Sequence, residues 1–258
     1  CDEHESGPDM FCSVWGLWAS SSSRVGYPGA LDLTRQLLRM ARQSGDSVQA
    51  QQAHFARADT LYWRGEFATA LNHLDRVAAL YQPQHHARHV AGYGEDAGVT
   101  GGAYQSWVLW FLGYADQALV ASAQSVALAR QLEHPFSLAY ALTFAAILRC
   151  RLRDPHAATL LADETLGIAN EHGFPLWQMG ARLVQGWAQA QLGHKDGAEN
   201  IRLCVEATRA AMGGVTLVVL APLVDAYLAQ GAYAEALAVH GEAMAVAQSL
   251  GDGHADAE

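Results

Sequence analysis

Residues 82–99, QPQHHARHVAGYGEDAGV, gather His85, His86 and His89 with Tyr93, Glu95 and Asp96 among Gly92, Gly94 and Gly98. Imidazoles and carboxylates in such density are the ligands of a zinc or nickel ion, or the parts of an acid–base pair. If Pro83 starts a helical turn, His85 and His89 share one face, and Glu95 or Asp96 can fold back as a third ligand. No HExxH or comparable pattern fixes such a set, His86 is equally available, and the three glycines allow many backbone paths. The segment therefore reads as a structural or partner-contacting loop that holds no metal. Asp96, placed before Val99 and a helical run, is suited to cap the next helix through its side-chain oxygen.

Other chemistry finds less support. There is no Walker phosphate loop, and Gly92-Tyr93-Gly94 does not follow a strand. No GxSxG elbow is present, and neither His134-Pro135 nor Asp154-Pro155 has the context of a catalytic triad. No catalytic residue and no cofactor site is expected, and the chain does not read as an enzyme. The formal charge of −10, from 26 acidic and 16 basic residues, argues against a nucleic-acid or anionic-membrane surface. Cys1, Cys12, Cys150 and Cys204 never approach CxxC spacing and read as reduced thiols of a cytoplasmic protein. The most apolar run, Val215 to Val224, is short and interrupted by Pro222, so no membrane span is expected.

The elements that must position these residues come from a repeat. RGEFATAL, LGYADQAL, LGHKDGAE and QGAYAEAL each place an alanine five residues after a glycine, at Ala70, Ala118, Ala198 and Ala236. VGYPGAL with Ala30 and RDPHAAT with Ala158 are weaker copies, so successive alanines stand 40, 48, 40, 40 and 38 residues apart. Eleven residues further on lie Ala41, Ala129, Ala169 and Ala247; fifteen residues on lie Gly45, Gly173, Gly213 and Gly251. Small residues let helices approach, and a glycine closes a helix in the left-handed conformation. Each copy thus reads as helix, tight turn, helix and glycine stop.

The spacing predicts twelve helices in six antiparallel pairs. First helices fall near 9–24, 47–64, 99–113, 136–152, 175–192 and 215–230; second helices near 28–44, 67–81, 115–132, 155–171, 195–211 and 232–250. Pro135, Pro155 and Pro175 sit at or near helix starts, whereas Pro222 predicts a kink or a later start. With 51% hydrophobic residues and no linker, residues 1–258 read as one all-α domain, a right-handed solenoid of period near 40. The single step of 48 is an insertion between the second and third pairs, and the histidine-rich segment occupies it.

GEFATA (Gly65, Phe67, Ala70) and GAYAEA (Gly231, Tyr233, Ala236) resemble the tetratricopeptide repeat, with a period longer than its usual ~34. WGLW, YGEDAGV followed by SWVLWFLGYADQAL, HPFSLAYAL and HGFPLW resemble, more narrowly, the C-terminal repeat region of bacterial signalling proteins. Those proteins join an adenylate/guanylate cyclase domain and an AAA-type ATPase module to a tetratricopeptide tail. They commonly carry Asp-Pro-Gly-Val where this chain has Asp96-Ala97-Gly98-Val99.

The resemblance implies a regulatory or protein-interaction scaffold whose concave face, lined by first helices, holds a protein segment or other domains of a parent chain. A small-molecule sensor, as in the maltose-regulator type of transcription activators, is the alternative. Trp63, Tyr104, Trp107, Trp110, Tyr140 and Trp177 are the candidate groove or partner contacts; His85, His86, His89, Tyr93, Glu95 and Asp96 form the candidate functional loop. CDEHESGPDM and the residues after Gly251 look like truncated neighbouring elements, so the chain is expected to be a piece of a longer array. The last helix, ALAVHGEAMAVAQSL, carries few charges, and the chain is expected to hide it by self-association or to be less stable than one extended by a further helix pair.

Overall fold

A computed structural model describes residues 8–22, 29–212 and 217–250. The chain divides into two compact units, the first reaching Leu132 and the second spanning Glu133–Ser249. Unit 1 contains α1 (Pro8–Ser22), α2 (Ala30–Ser44), α3 (Ser47–Tyr62), α4 (Phe67–Leu80), α5 (His86–Tyr93), α6 (Ala97–Phe111) and α7 (Ala115–Gln131), with a 3-10 turn at Pro83–His85. Unit 2 is built on α8 (Pro135–Arg151), α9 (Pro155–His172), α10 (Pro175–Gln191), α11 (Gly197–Met212), α12 (Leu217–Ala229) and α13 (Tyr233–Leu250). The described residues contain no strand.

The predicted pairs are all present, each boundary within about three residues of its expected place. The departure is α5, a thirteenth helix where an irregular connection was expected. Pro222 lies inside α12, which begins at Leu217 among the described residues. The expected turn at 25–29 lies outside the described residues except for Gly29, as do Gly213, Gly251 and both chain ends; Ala247 is described in backbone only.

The repeat alanines are the contacts that let paired helices touch. Ala70, Ala118 and Ala158 are fully buried, Ala198 and Ala236 nearly so, and Ala41, Ala129 and Ala169 lie equally deep. In five of the pairs the first helix ends on a repeated hydrogen bond, from an N–H back to the carbonyl five residues earlier: Glu66 to Leu61, Tyr114 to Leu109, Asp154 to Arg149, His194 to Gln189 and Ala232 to Tyr227, at 2.8–3.0 Å. This closure needs a left-handed residue just before the donor. Gly65, Gly113, Gly193 and Gly231 supply it, and in the RDPHAAT copy Arg153 does so at φ 58°. Glu133 likewise adopts φ 51° where Gly45 and Gly173 close the equivalent helices.

Unit 2 is centred on Trp187, Ile201 and Leu220. Its α10 and α11 approach so closely that a Cβ on Gly197 would stand 2.4 Å from the Ala190 nitrogen and 2.7 Å from the Gly186 oxygen. No helix among the described residues is long and apolar enough to cross a membrane.

Candidate functional site

The histidine-rich insertion is helical because Pro83 fixes the start of a 3-10 turn, α5 follows directly, and Gly94 closes it in the left-handed conformation. Its polar side chains anchor α5 to its neighbours. Arg88 donates to Asp46, the N-cap of α3, at 2.5 Å. His89 is fully buried, with Nδ1 3.1 Å from Gln52 Nε2 of α3. Tyr93 packs edge-on against Trp15 (5.0 Å between centroids) and Phe11 (6.3 Å) of α1. His86 Nδ1 lies 2.9 Å from Asp96 Oδ2, whereas His85 is half-buried.

Asp96 is the N-cap of α6. Its Oδ1 accepts from the N–H groups of Gly98 (2.9 Å) and Val99 (3.2 Å), and its Oδ2 from the Tyr81 hydroxyl at 3.4 Å. A fully buried carboxylate with this many partners is occupied by folding. Among the described residues no group of three or more His, Cys, Asp or Glu is placed to hold a metal ion.

A second constellation lies on the first-helix side of unit 1. Asp59, 5% exposed on α3, accepts from Trp63 Nε1 at 3.0 Å and from the Tyr104 hydroxyl of α6, while its Oδ2 has no partner. Burial pushes Asp59 up to about 6 against the pull of those two donors. Glu95, half-buried ahead of α6, is pushed up to about 8 by burial and by the charges of Asp59 and Asp96. Aromatic rings of α1, α3 and α6 pack on one another in this unit: Tyr104 meets Phe55 at 5.7 Å and Tyr62 at 5.3 Å, and Trp18 meets Phe55 at 6.2 Å. Trp18 is held by its own bond from Nε1 to Thr60 Oγ1 at 2.9 Å.

The candidate aromatics divide by depth and by unit. In unit 1, Tyr104 and Trp107 are buried and Trp63 and Trp110 half-buried; Trp107 packs on Tyr62 and Trp110 edge-on against Phe111. In unit 2, Tyr140 and Trp177 are both buried and meet at 5.0 Å, Tyr140 also stacking on Phe144.

Two further features have no motif to announce them. His54 of α3 and His73 of α4 bring their Nδ1 atoms to 2.9 Å, so one ring must donate and the other accept. Burial, then Arg76 and Arg42, holds His54 low; burial, then His54 and Arg57, holds His73 near 4. Between α4, α6 and α7 lies an open groove of about 170 Å³, lined by Val77, Tyr81, Gly101 and Ser125 among others and free of charged side chains.

No protein-family model matches this chain, and no curated protein matches it in sequence. Its fold, however, is that of a solved structure. A Rap protein, crystallised in complex with competence and sporulation factor, superposes with a TM-score of 0.68 over 95% of this chain and 77% of its own. At 13% identity the likeness is one of fold, a tetratricopeptide-like array of helix pairs. The influence of Asp59 on Glu95 was not legible because the two stand 36 positions apart, with α4, the 3-10 turn and α5 between them. The signal that could have found Asp59 is the run Asp59-x-x-x-Trp63, a carboxylate one helical turn from an indole donor.

Proposed function

We propose that this chain is a non-catalytic regulatory scaffold that binds a segment of a partner protein, or of its own parent chain, on the first-helix face of unit 1. One observation carries the reading: half-buried Trp63 donates to the buried carboxylate of Asp59, whose Oδ2 has no partner among the described residues, and half-buried Trp110 stands on the neighbouring first helix. A face serving only to pack helices has no use for an unpaired buried carboxylate. The fold shared with a Rap protein complexed with competence and sporulation factor supports the same assignment. Resemblance to the tail of cyclase and ATPase signalling proteins suggests a bacterial cytoplasmic parent whose output domains the scaffold controls. At the other end of the chain, Tyr233 and Leu237 are each 71% exposed on α13 and support self-association through the last pair.

The test is to pan a displayed peptide library against the protein and to map the selected segments by hydrogen exchange. Selected segments should protect α3 and α6, and Trp63→Ala or Trp110→Ala should weaken them about tenfold with helicity retained, the loss given by one buried aromatic contact. No selected segment, or protection confined to α2, α4 and α7, overturns the proposal. A small molecule that alone protects α3 and α6 would favour the sensor reading.

A further inference from the structure

α3 is covered on nearly every side. Among its residues Ser47, Ala50, His54 and Arg57 are half-buried and the others buried, and their spacing puts these four on one stripe of the helix. The stripe lies between α2 and α4. Arg57 Nη1 donates to Thr34 Oγ1 of α2 at 3.2 Å, and His54 meets His73 of α4 with Nδ1 atoms 2.9 Å and ring centroids 5.0 Å apart. Arg76 stands one turn beyond His73 on α4 and borders the same groove. On the other wall, Arg35, Arg39 and Arg42 follow one another at helical spacing along the exposed side of α2.

The acids of these three helices do not neutralise the groove. Asp32 of α2 takes Arg35 at 2.7 Å, Asp75 of α4 accepts from Gln105 Nε2 of α6 at 2.9 Å, and Asp59 of α3 is turned away toward Trp63 and Tyr104. Glu66, ahead of α4, takes Arg64 at 2.9 Å. Arg39, Arg42, Arg57 and Arg76 are left with no carboxylate among the described residues. In a chain of formal charge −10, four such arginines around a histidine pair are a local reversal of sign.

We propose that the groove between α2 and α4 binds an oxyanion of the phosphate class, with the His54–His73 pair as its floor and Arg42, Arg57 and Arg76 as guanidinium donors around it. The site lies among second helices and does not depend on the segment proposed above. Guanidinium forks match a tetrahedral dianion, which a single carboxylate charge would leave under-neutralised. The pair adds a proton step. The ring that donates through Nδ1–H carries a bare Nε2, and the ring that accepts at Nδ1 carries Nε2–H. One added proton settles on the bare Nε2 and leaves the Nδ1 bond in place, so the pair gains a positive charge and an Nε2–H donor on each ring. Burial, then Arg76 and Arg42, keeps His54 low, and burial, then His54 and Arg57, holds His73 near 4. At neutral pH that proton is therefore absent until an anion offsets the surrounding charges, and binding takes it from the buffer.

Sulfate is the diagnostic probe, because it stays a dianion across the range and any proton taken up belongs to the protein. Calorimetry at pH 6.5 in two buffers of different ionisation enthalpy, with ionic strength held constant by chloride, should show one sulfate bound per chain with proton uptake. Affinity should fall from pH 6 to pH 8, by up to about tenfold per unit, the limit set by one proton. His73→Gln should abolish the uptake, and Arg57→Gln should weaken sulfate about tenfold, the loss of one charge-assisted contact. Arg182→Gln, exposed on α10 of unit 2, should change neither. Far-UV dichroism establishes that the variants are folded, and the two groove variants are read independently. Inorganic phosphate and a phosphoserine peptide should displace sulfate, the tighter of the two showing whether the occupant is a free anion or a phosphorylated side chain. No binding beyond that of chloride, binding without proton uptake, displacement by acetate as good as by phosphate, or binding that survives both groove substitutions overturns the inference. So does a melting midpoint raised by zinc and not by sulfate, which would make the pair a metal site.

Discussion

The two units bury different chemistry in the same repeat. Among the described residues of unit 2 the buried polar side chains are the hydroxyls of Ser137, Thr143, Thr165 and Thr208, and the three threonines each donate to the carbonyl four residues back in their own helix. Ser137 pairs locally with His134, and only Thr208 also reaches another helix, at Met179 Sδ. In unit 1, α3 alone buries Gln49, Gln51, Gln52 and Asp59, and α5 and the start of α6 add His89 and Asp96. These groups depend on partners from other helices, and several of their atoms have none. Hydroxyls satisfied within a helix cost the fold little, whereas each unsatisfied buried amide or carboxylate costs about 1–3 kcal/mol. The repeat supplies the scaffold in both units; among the described residues unit 2 leaves the indole Nε1 of Trp177 without a partner, whereas unit 1 leaves an amide oxygen, an imidazole nitrogen, an indole nitrogen and a carboxylate oxygen so.

The comparison can be pressed experimentally, starting with packing. Gly197→Ala in unit 2 sets a methyl against the backbone of α10, which cannot yield, and should cost about 2–3 kcal/mol in denaturant titration. Gly101→Ala in unit 1 meets only the Val77 side chain and should cost clearly less. Caps come next. Asp96→Ala removes two backbone acceptor contacts and leaves Tyr81 and His86 without their carboxylate, so it should cost about 2 kcal/mol. Asp154→Ala in unit 2 loses one cap bond, from the Ala157 N–H, and a long, exposed ion pair with Arg149 that adds little, and about 0.5–1 kcal/mol is expected.

Protonation gives a smaller and more telling effect. Glu95 binds its proton more tightly folded than unfolded, so its contribution is present below pH 4.5 and lost as pH rises through about 8. The His54–His73 pair works in the opposite sense, withdrawing stability as pH falls from 6.5 toward 4. Glu95→Gln should therefore flatten the alkaline side of the stability profile and leave the acidic side as it is, seen as melting midpoints across pH. An unchanged alkaline limb would remove Glu95 from the polar interior of unit 1. The smallest effect is a gain: Glu133→Gly relieves a left-handed glutamate and should add about 0.5 kcal/mol.

The repeat was legible because it rests on single residues in fixed register. A buried alanine and a left-handed glycine recur every forty residues or so, and both types are rare enough in those roles to be read directly. Where another residue took the role the signal thinned: Arg153 and Glu133 adopt the same backbone conformation without announcing it. Asp96 was legible as a cap because capping is local, decided within three residues. The helical state of residues 86–93 was obscured by Gly92 and Gly94; the anchoring contacts of α5 to Asp46, Gln52 and Trp15 are long-range and outweigh local propensity. The influence of Asp59 on Glu95 depends on how α3 lies against the start of α6, and no periodicity records that.

Arg153 has one consequence that belongs to time rather than to structure. Its guanidinium forks onto Asp225 of α12 at 2.6 and 3.0 Å, and Trp187 donates to the same carboxylate at 3.2 Å. The turn between α8 and α9 is thus closed by a residue that dislikes its own backbone and is compensated by a partner 72 positions later in the chain. A glycine turn is complete as soon as its two helices exist. This one gains its compensating partner only after α12 has been synthesised and docked, so the last contact of an early turn is among the later ones that unit 2 makes.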